Sequence, residues 1–219
     1  MGLERLLDES FEAYYWAGLL MADGYISSRT GQACLIISLS EKDKDSIIKL
    51  SEYLNIPFKI VTAKWKYKGD TRTSKHYRIE KWDKQNVEKI SIKFKFNNKK
   101  TYNPPIDLKI DSNDMFIAFL IGFVDGDGCI DKLGCIHVQC HSSWRGTLEL
   151  WFNRLYSISN PKIKNKTFKK LIKCGIDKRD GSVRVEIYNS EVLTFLKEKA
   201  LTLNLPIIKR KWERIVPRP

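Results

Sequence analysis

The 219-residue sequence has few cysteines and no long apolar run. Its five cysteines are an odd number and include no CxxC pair, which argues against a disulfide framework and favours a reducing compartment. No apolar stretch approaches the about 20 residues that a membrane-spanning helix needs. The residues from Met1 to Arg5 are charged and lack the apolar core of a signal peptide. These absences predict an intracellular protein of a bacterial or phage cytoplasm or of an organelle, neither secreted nor membrane-bound.

Acidic residues are also scarce relative to basic ones. Lysine and arginine total 39 against 26 aspartates and glutamates, which gives a formal net charge of +13. Hydrophobic residues make up 42% of the chain, enough for a packed core. A basic excess of this size favours an anionic polymer as the partner.

Cysteines and histidines gather in one short segment, at Cys129, Cys135, His137, Cys140 and His141. Their spacings match no known zinc pattern. Ordinary packing or contact roles on strands are therefore the preferred interpretation, with a structural zinc site as the alternative.

Two apolar runs end in the dipeptide Asp-Gly. One run extends from Trp16 to Gly24 and the other from Leu120 to Gly128, so that Asp127 follows Asp23 by 104 residues. One such run alone predicts only an amphipathic core helix. Two at matched positions in a basic chain indicate an internal repeat of about half the chain length.

Small residues lie four positions apart in each run, as Gly18 with Ala22 and as Gly122 with Gly126. Four residues are about one helical turn, so each pair forms a smooth stripe on which another backbone can pack closely. We therefore predict that these four residues form a helix seam between the two motif helices.

The ends of both predicted helices need a particular chemistry. Gly24 and Gly128 suit the left-handed conformation that often follows a helix. An acid in the last helical turn opposes the helix dipole, which favours cations there. Asp23 and Asp127 therefore predict a compensating cation, which free terminal carbonyls can help to hold.

The elements around the motifs occur in the same order in both halves. We predict a first repeat over residues 1–94, a linker over 95–112 and a second repeat over 113–219. After the motif helix of the first repeat, strands are predicted near Tyr25–Thr30 and Ala33–Ser40, a helix at Lys44–Leu54, and a hairpin of Phe58–Lys68 with Tyr77–Trp82. The second repeat is expected to place its second hairpin at Lys162–Lys173 and Val183–Tyr188.

Alternation along these strands predicts one basic, hydrogen-bonding sheet face in each repeat. Such a face fits the DNA major groove, which admits a β-ribbon. The candidate DNA-binding residues are Ser27, Arg29, Ser38, Ser40, Lys64, Lys66, Lys68, Arg72 and Arg78 in the first repeat, and His137, Gln139, His141, Lys162, Lys164, Lys166 and Arg184 in the second.

The two runs resemble the LAGLIDADG motif of homing endonucleases. The second matches at most positions, whereas the first has Met21 where the motif has an acid at its sixth position. The resemblance implies an α+β fold of two pseudo-symmetric αββαββα repeats, whose antiparallel sheets form a DNA-binding saddle. It also implies that a chain with two motifs acts as a monomer on double-stranded DNA without an obligate protein partner.

The resemblance further implies the site residues. Asp23 and Asp127 correspond to the metal-binding aspartates, and the carbonyls of Ala22 and Gly126 are further candidate ligands. Two or three Mg²⁺ ions are expected, with Mn²⁺ or Ca²⁺ substituting in crystals. The candidate catalytic lysines are Lys211 in the second repeat and Lys99 or Lys100 in the first.

These observations predict a site-specific endonuclease that recognises a long asymmetric DNA target and hydrolyses both strands with divalent metal. The alternatives are an intron-encoded RNA maturase and a cleavage-deficient DNA-binding protein, both with the same fold. Acids at both motif ends favour the nuclease, since a protein that only binds has no evident use for them.

Overall fold

The computed structural model describes residues 2–67, 70–161, 175–177 and 181–216. The helices are α1 (Phe11–Asp23), α2 (Lys44–Leu54), α3 (Lys84–Phe94), α4 (Asn113–Asp127), α5 (Arg145–Ser159), α6 (Ser190–Thr202) and α7 (Lys209–Trp212). The strands are β1 (Gly24–Arg29), β2 (Gln32–Ser40), β3 (Lys59–Tyr67), β4 (Asp70–Trp82), β5 (Gly128–Ile130), β6 (Ile136–His141), β7 (Gly175–Asp177) and β8 (Ser182–Ile187). This order confirms the predicted α+β fold with two αββαββα repeats.

The chain divides into two compact units that do not follow the sequence repeat. The first unit comprises Met1–Asp8 and Asp23–Asn98, and the second comprises Glu9–Ala22 and Lys99–Pro219. Helix α1 up to Ala22 therefore packs with the second half of the sequence. The domain limits at 1–94, 95–112 and 113–219 remain a prediction from the sequence repeat.

The first unit is built on a four-stranded antiparallel sheet in the order β1-β2-β4-β3. Helices α2 and α3 pack against its central strands. The apolar positions of α2 recur at helical spacing, and Ile47, Leu50 and Leu54 are buried beneath the sheet side chains. The left-handed residue after this helix is Asn55, with a φ of 53°.

The second unit combines α1 and α4 with an antiparallel sheet in the order β5-β6-β8-β7. Both motif helices are buried on all sides along their central residues, 13–21 and 116–125, which suits their nearly continuous apolar sequences. Stacking of Phe123 on Trp144, with ring centroids 5.5 Å apart, extends this core towards α5. Within the described residues, no helix has the length and apolarity required to cross a bilayer.

Side-chain caps define where several helices begin. Ser112 accepts a hydrogen bond from the main-chain N–H of Met115 at the start of α4, and Asp83 accepts one from that of Asn86 at the start of α3. Asn189 caps α6 in the same way. Each side chain satisfies a main-chain donor that has no partner within its helix.

The second hairpin of the first repeat is longer than predicted. Strand β4 begins at Asp70 instead of Tyr77, and it pairs with β3 along its whole length. The polar segment Asp70–His76 carries no strong strand pattern, so its conformation depends on the hydrogen bonds that β3 supplies. The strand predicted near 162–173 lies outside the described residues.

Candidate functional site at the motif helix ends

Helices α1 and α4 approach each other through a reciprocal glycine contact. A Cβ atom on Gly18 would lie 1.9 Å from the main-chain oxygen of Phe119, and one on Gly122 would lie 2.0 Å from that of Tyr15. Neither position can hold a side chain without movement of a backbone. The two glycines therefore allow the motif helices to pack in main-chain contact. The other two residues predicted for the helix seam, Ala22 and Gly126, are half-buried.

Each motif helix ends in an exposed aspartate followed by a buried glycine that starts a strand. The expectation of a left-handed glycine is wrong at both helix ends: Gly24 lies in β1 without a positive φ, and Gly128 has a φ of −88° and a ψ of 150°. The chain passes directly into β5, so no reversal is needed. Glycine is nevertheless required there, because a Cβ atom would lie 2.4 Å from the carbonyl oxygen of Val124.

A lysine ammonium lies at the C-terminal end of α1. The Nζ atom of Lys100 donates to the carbonyl oxygens of Leu20 at 3.3 Å and Met21 at 2.5 Å, and also to that of Ala22. The neighbouring Lys99 is exposed. The structure thus places the ammonium of Lys100, one of the two lysines predicted for the first repeat, at this helix end.

The C-terminal end of α4 has the matching arrangement. Lys211, which is only 8% exposed, donates to the carbonyl oxygens of Gly128 at 2.7 Å and Gly126 at 3.5 Å, and also to that of Asp125. Both helix ends thus carry the cation that the unfavourable acid requires, and both cations are lysines. The carbonyls of Ala22 and Gly126, predicted as metal ligands, accept from these lysines.

Cys140 links the end of α4 with Lys100. Its Sγ lies 3.8 Å from an Asp127 carboxylate oxygen. Burial raises the pKa of the Cys140 thiol, the Asp127 carboxylate raises it further, and the positive charge of Lys100 acts in the opposite direction. The lysine at the end of α1 and the acid at the end of α4 therefore act on the same thiol. Strand alternation predicts that Cys140 lies on the sheet face opposite His137 and Gln139, but only the folded chain brings its thiol to Asp127.

The segment carrying Lys100 is held by the short 3-10 turn Ser142–Trp144. The indole nitrogen of Trp144 donates to the carbonyl of Lys100 at 3.0 Å, and the hydroxyl of Ser143 donates to that of Thr101 at 2.9 Å. The ring of Tyr102 meets His141 edge to face at 4.9 Å. Sequence patterns carried no signal for these contacts, because the predicted linker and the turn are separated by about 40 residues.

The expectation of a single basic face is wrong for the first sheet. Strand register places Arg78 opposite Ser38, whereas Lys64 lies opposite Thr73 and therefore on the other face. Lys66 shares the face of Lys64. Ser27, Arg29, Ser40 and Arg72 lie on the face of Arg78. Alternation along β3 correctly predicts which of its side chains share a face. Only the register of β3 with β4 decides which of those two faces also carries Arg78.

In the second sheet, the predicted residues that the structure describes, His137, Gln139, His141 and Arg184, do lie on one face. His137, Gln139 and His141 alternate along β6, and Gln139 lies opposite Arg184 of β8. Arg184 donates to His137 Nδ1 at 2.9 Å and also pairs with Glu186. Lys68, Lys162, Lys164 and Lys166 lie outside the described residues.

Two acids that the sequence patterns did not predict for this face, Asp131 and Glu186, also lie on it. Glu186 pairs with Arg184, and Asp131 lies 2.9 Å from His137 Nε2. Desolvation of Asp131 is outweighed by hydrogen bonds from His137 and two main-chain N–H groups, which together lower the pKa of its carboxyl. The position of Glu186 two residues after Arg184 on the same strand does predict that both side chains share a face. The face is therefore a mixed donor and acceptor surface instead of a purely basic one.

Carboxylate and main-chain carbonyl oxygens are the donors available at the motif helix ends. Such hard oxygen donors suit Mg²⁺, which is commonly held by one or two carboxylates together with water and substrate phosphates. Among the described residues, no three histidine, cysteine, aspartate or glutamate side chains form a metal-binding group. The donors thus fit an ion completed by water and phosphate. The cysteines and histidines considered for zinc are divided between two sheet faces. Cys129 pairs with His137 across β5 and β6 and shares its face, whereas Cys140 lies on the other face.

Comparison with known proteins identifies the fold. Residues 10–90 match the family model described as a LAGLIDADG-like domain. No curated protein matches the chain. Among solved structures, the chain is similar to the homing endonuclease I-WcaI bound to its DNA recognition sequence, with a TM-score of 0.60 and 15% identity over 100% of this chain and 89% of that chain. It is also similar to the I-SmaMI LAGLIDADG homing endonuclease bound to cleaved DNA, with a TM-score of 0.49 and 14% identity over 92% and 86% of the two chains.

Proposed function

Since residues 10–90 match the family model of a LAGLIDADG-like domain and the chain has a fold similar to that of a homing endonuclease, we propose that this protein is a site-specific DNA endonuclease. It recognises a long asymmetric duplex as a monomer and hydrolyses both strands with divalent metal. It acts inside a cell, in a bacterial or phage cytoplasm or in an organelle.

The observation that carries this proposal is the duplicated helix end. Asp23 and Asp127 are exposed at the ends of α1 and α4, and Lys100 and Lys211 lie on the terminal carbonyls of the same helices. A lysine that only capped the helix would stabilise the helix end without needing an acid beside it. An acid that can hold a divalent metal and an ammonium that can stabilise phosphate charge occur at both ends, as metal-assisted phosphodiester hydrolysis requires.

The two aspartates would hold Mg²⁺ in this function. The carbonyls of Ala22 and Gly126 already accept from Lys100 and Lys211, so they would contribute only through a second lone pair. When bound, the divalent ions would activate the attacking water and stabilise the leaving 3′ oxygen. Lys100 and Lys211 would provide fixed positive charge to the phosphate as its negative charge increases, in a site where low solvent exposure strengthens that interaction. The partial burial of both lysines favours this role over that of a surface phosphate contact.

The sheet faces would bind DNA. In the first unit, Ser38, Arg72 and Arg78 offer donors on one face, while the exposed Lys64 and Lys66 lie on the other face of the hairpin. The exposed lysines suit phosphate contacts, which position a protein without reading sequence. In the second unit, Gln139, Arg184 and Glu186 combine donors with an acceptor, as base-edge recognition requires.

The proposal is tested with a pool of random-sequence duplexes enriched by binding to the protein in EDTA and then exposed to Mg²⁺. Wild-type protein is expected to cut both strands of the enriched duplex. Asp23→Asn and Asp127→Asn are each expected to abolish double-strand cleavage while binding remains. Asp45→Asn, at an exposed acid in the first turn of α2, is the matched control and should cleave normally.

The alternatives give different results in the same assay. Enrichment of a parallel RNA pool, with no enrichment of duplex DNA, would identify a maturase. Duplex binding without cleavage by the wild type would identify a cleavage-deficient DNA-binding protein. Normal double-strand cleavage by both aspartate variants would refute the assigned site.

A further inference from the structure

Asp125, the sixth residue of the second motif, is a buried carboxylate with three hydrogen-bond donors around it. It is 2% exposed. Its Oδ2 accepts from the hydroxyl of Tyr15 at 2.8 Å and from the main-chain N–H of Ile208 at 3.0 Å, and its Oδ1 accepts from the indole nitrogen of Trp212 at 2.8 Å. An ionised carboxylate only accepts hydrogen bonds, so it suits a site in which every partner is a donor.

Two of these donors flank Lys211. Ile208 immediately precedes the short helix α7, and Trp212 is its last residue. The main-chain oxygen of Asp125 also accepts a hydrogen bond from Lys211. Asp125 therefore holds the segment on both sides of the lysine, and its own peptide group contacts the ammonium.

This arrangement has no counterpart at the first motif. The equivalent position there is Met21, which cannot accept such bonds and is buried. Lys100 is instead held through its carbonyl by Trp144. The two lysines thus occupy matching places on the motif helices but depend on different supports.

Burial of a carboxylate is costly for stability. The Asp125 side chain is almost fully removed from solvent, so its carboxylate loses most of its hydration. A buried acid often contributes less to stability than an apolar residue of similar size. Retention of such a group in only one repeat points to a local role at that repeat.

We propose that Asp125 is a positioning residue for Lys211, and that it supports cleavage of one DNA strand and not the other. This inference rests on the proposed endonuclease function. Lys100, supported by Trp144, would serve the other strand independently of Asp125.

Asp125→Asn is the direct test. Asparagine keeps the shape of the side chain but has only one acceptor oxygen. Its amide NH₂ group would therefore face either the indole N–H of Trp212 or the donors of Tyr15 and Ile208. An unsatisfied buried donor next to Lys211 is expected to slow single-turnover cleavage of one strand roughly 10-fold to 100-fold. The second strand should be cut within about twofold of the wild-type rate, as expected for an independent site. The two strands of the enriched duplex carry different end labels, so both rates come from one reaction. Duplex affinity should not change.

Two further variants separate positioning from general destabilisation. Trp212→Phe removes one donor on α7 and should slow the same strand, which keeps the test valid even if Asp125→Asn folds poorly. Tyr14→Phe removes a hydroxyl of the same helix α1 that donates to Glu9 instead, so both strands should be cut at their wild-type rates. Equal slowing of both strands by Asp125→Asn and Trp212→Phe, or no slowing by either, would overturn the proposal.

Hydrogen exchange distinguishes failure of this inference from failure of the proposed function. In Asp125→Asn, main-chain amides of residues 205–216 should exchange faster than in the wild type, while those of 147–156 in α5 should not change. Unchanged exchange in 205–216 would overturn the positioning of Lys211 even in a cleaving enzyme. Faster exchange in a protein whose wild type cuts no duplex would instead refute the endonuclease function, and with it the assignment to one strand.

Discussion

Gly122→Ala is the smallest change that tests the packing of the two motif helices. The added Cβ would lie 2.0 Å from the carbonyl oxygen of Tyr15 and 2.9 Å from its carbonyl carbon. Ordinary contact between such atoms begins about 1.4 Å farther out. The obstacle is main chain, so no side-chain rotation relieves it, and one of the two buried helices must move.

The expected magnitude follows from two opposing effects. Overpacking of a buried contact costs typically ~1–3 kcal/mol. Alanine regains about 1 kcal/mol relative to glycine in a helix. Since a rigid backbone contact places the cost at the upper end of its range, we expect a net loss of about 2 kcal/mol. In a chain of this size such a loss lowers the melting temperature by roughly 4–8 °C.

Thermal unfolding followed by circular dichroism measures this effect. The matched control is Gly146→Ala in α5, where a Cβ atom would meet nothing within 4 Å. That variant should be as stable as the wild type or gain up to about 1 kcal/mol from helix propensity. If Gly122→Ala behaves like Gly146→Ala, the close approach of α1 and α4 is refuted.

Three further predictions concern DNA cleavage, DNA binding and local stability. Trp144→Phe keeps an aromatic ring but removes the hydrogen bond to the Lys100 carbonyl, so it should slow the strand that Trp212→Phe spares in the strand-resolved cleavage assay. Lys66→Ala should reduce the log–log salt slope of duplex binding by about 0.9 if this exposed lysine contacts phosphate, as measured by anisotropy at several salt concentrations. Asp83→Ala removes the side-chain cap of α3 and should reduce the free energy of unfolding by about 1 kcal/mol, as measured by urea denaturation.

Each of these predictions has a clear opposite result. Slowing of the same strand by Trp144→Phe and Trp212→Phe would contradict separate supports for the two lysines. A salt slope unchanged in Lys66→Ala, with one target position relaxed, would indicate a base contact instead of a phosphate contact. An unchanged urea midpoint for Asp83→Ala would mean that water replaces the cap without cost.

Local sequence determined most of the secondary structure and the two motif ends, whereas the Asp70–His76 part of β4 depends on its pairing with β3. The apolar runs around Asp23 and Asp127 predicted two buried helices, and the Lys44–Leu54 helix was predicted with its observed limits. These features follow from periodicity, capping residues and small-residue spacing, which act within a few residues. The internal repeat could likewise be predicted from sequence alone, because it follows from two matched local motifs.

Only the tertiary structure decided which side chains meet. It set the register that separates Lys64 from Arg78, placed Lys100 on the end of α1, and surrounded Asp125 with donors from α1 and α7. A strand shifted by one residue has the same alternation but opposite faces, and a buried acid carries no sign of its partners in its own neighbourhood. The contacts of Lys100 and Asp125 join residues about 80 or more positions apart, where the packing of the whole unit, and no local pattern, determines the geometry.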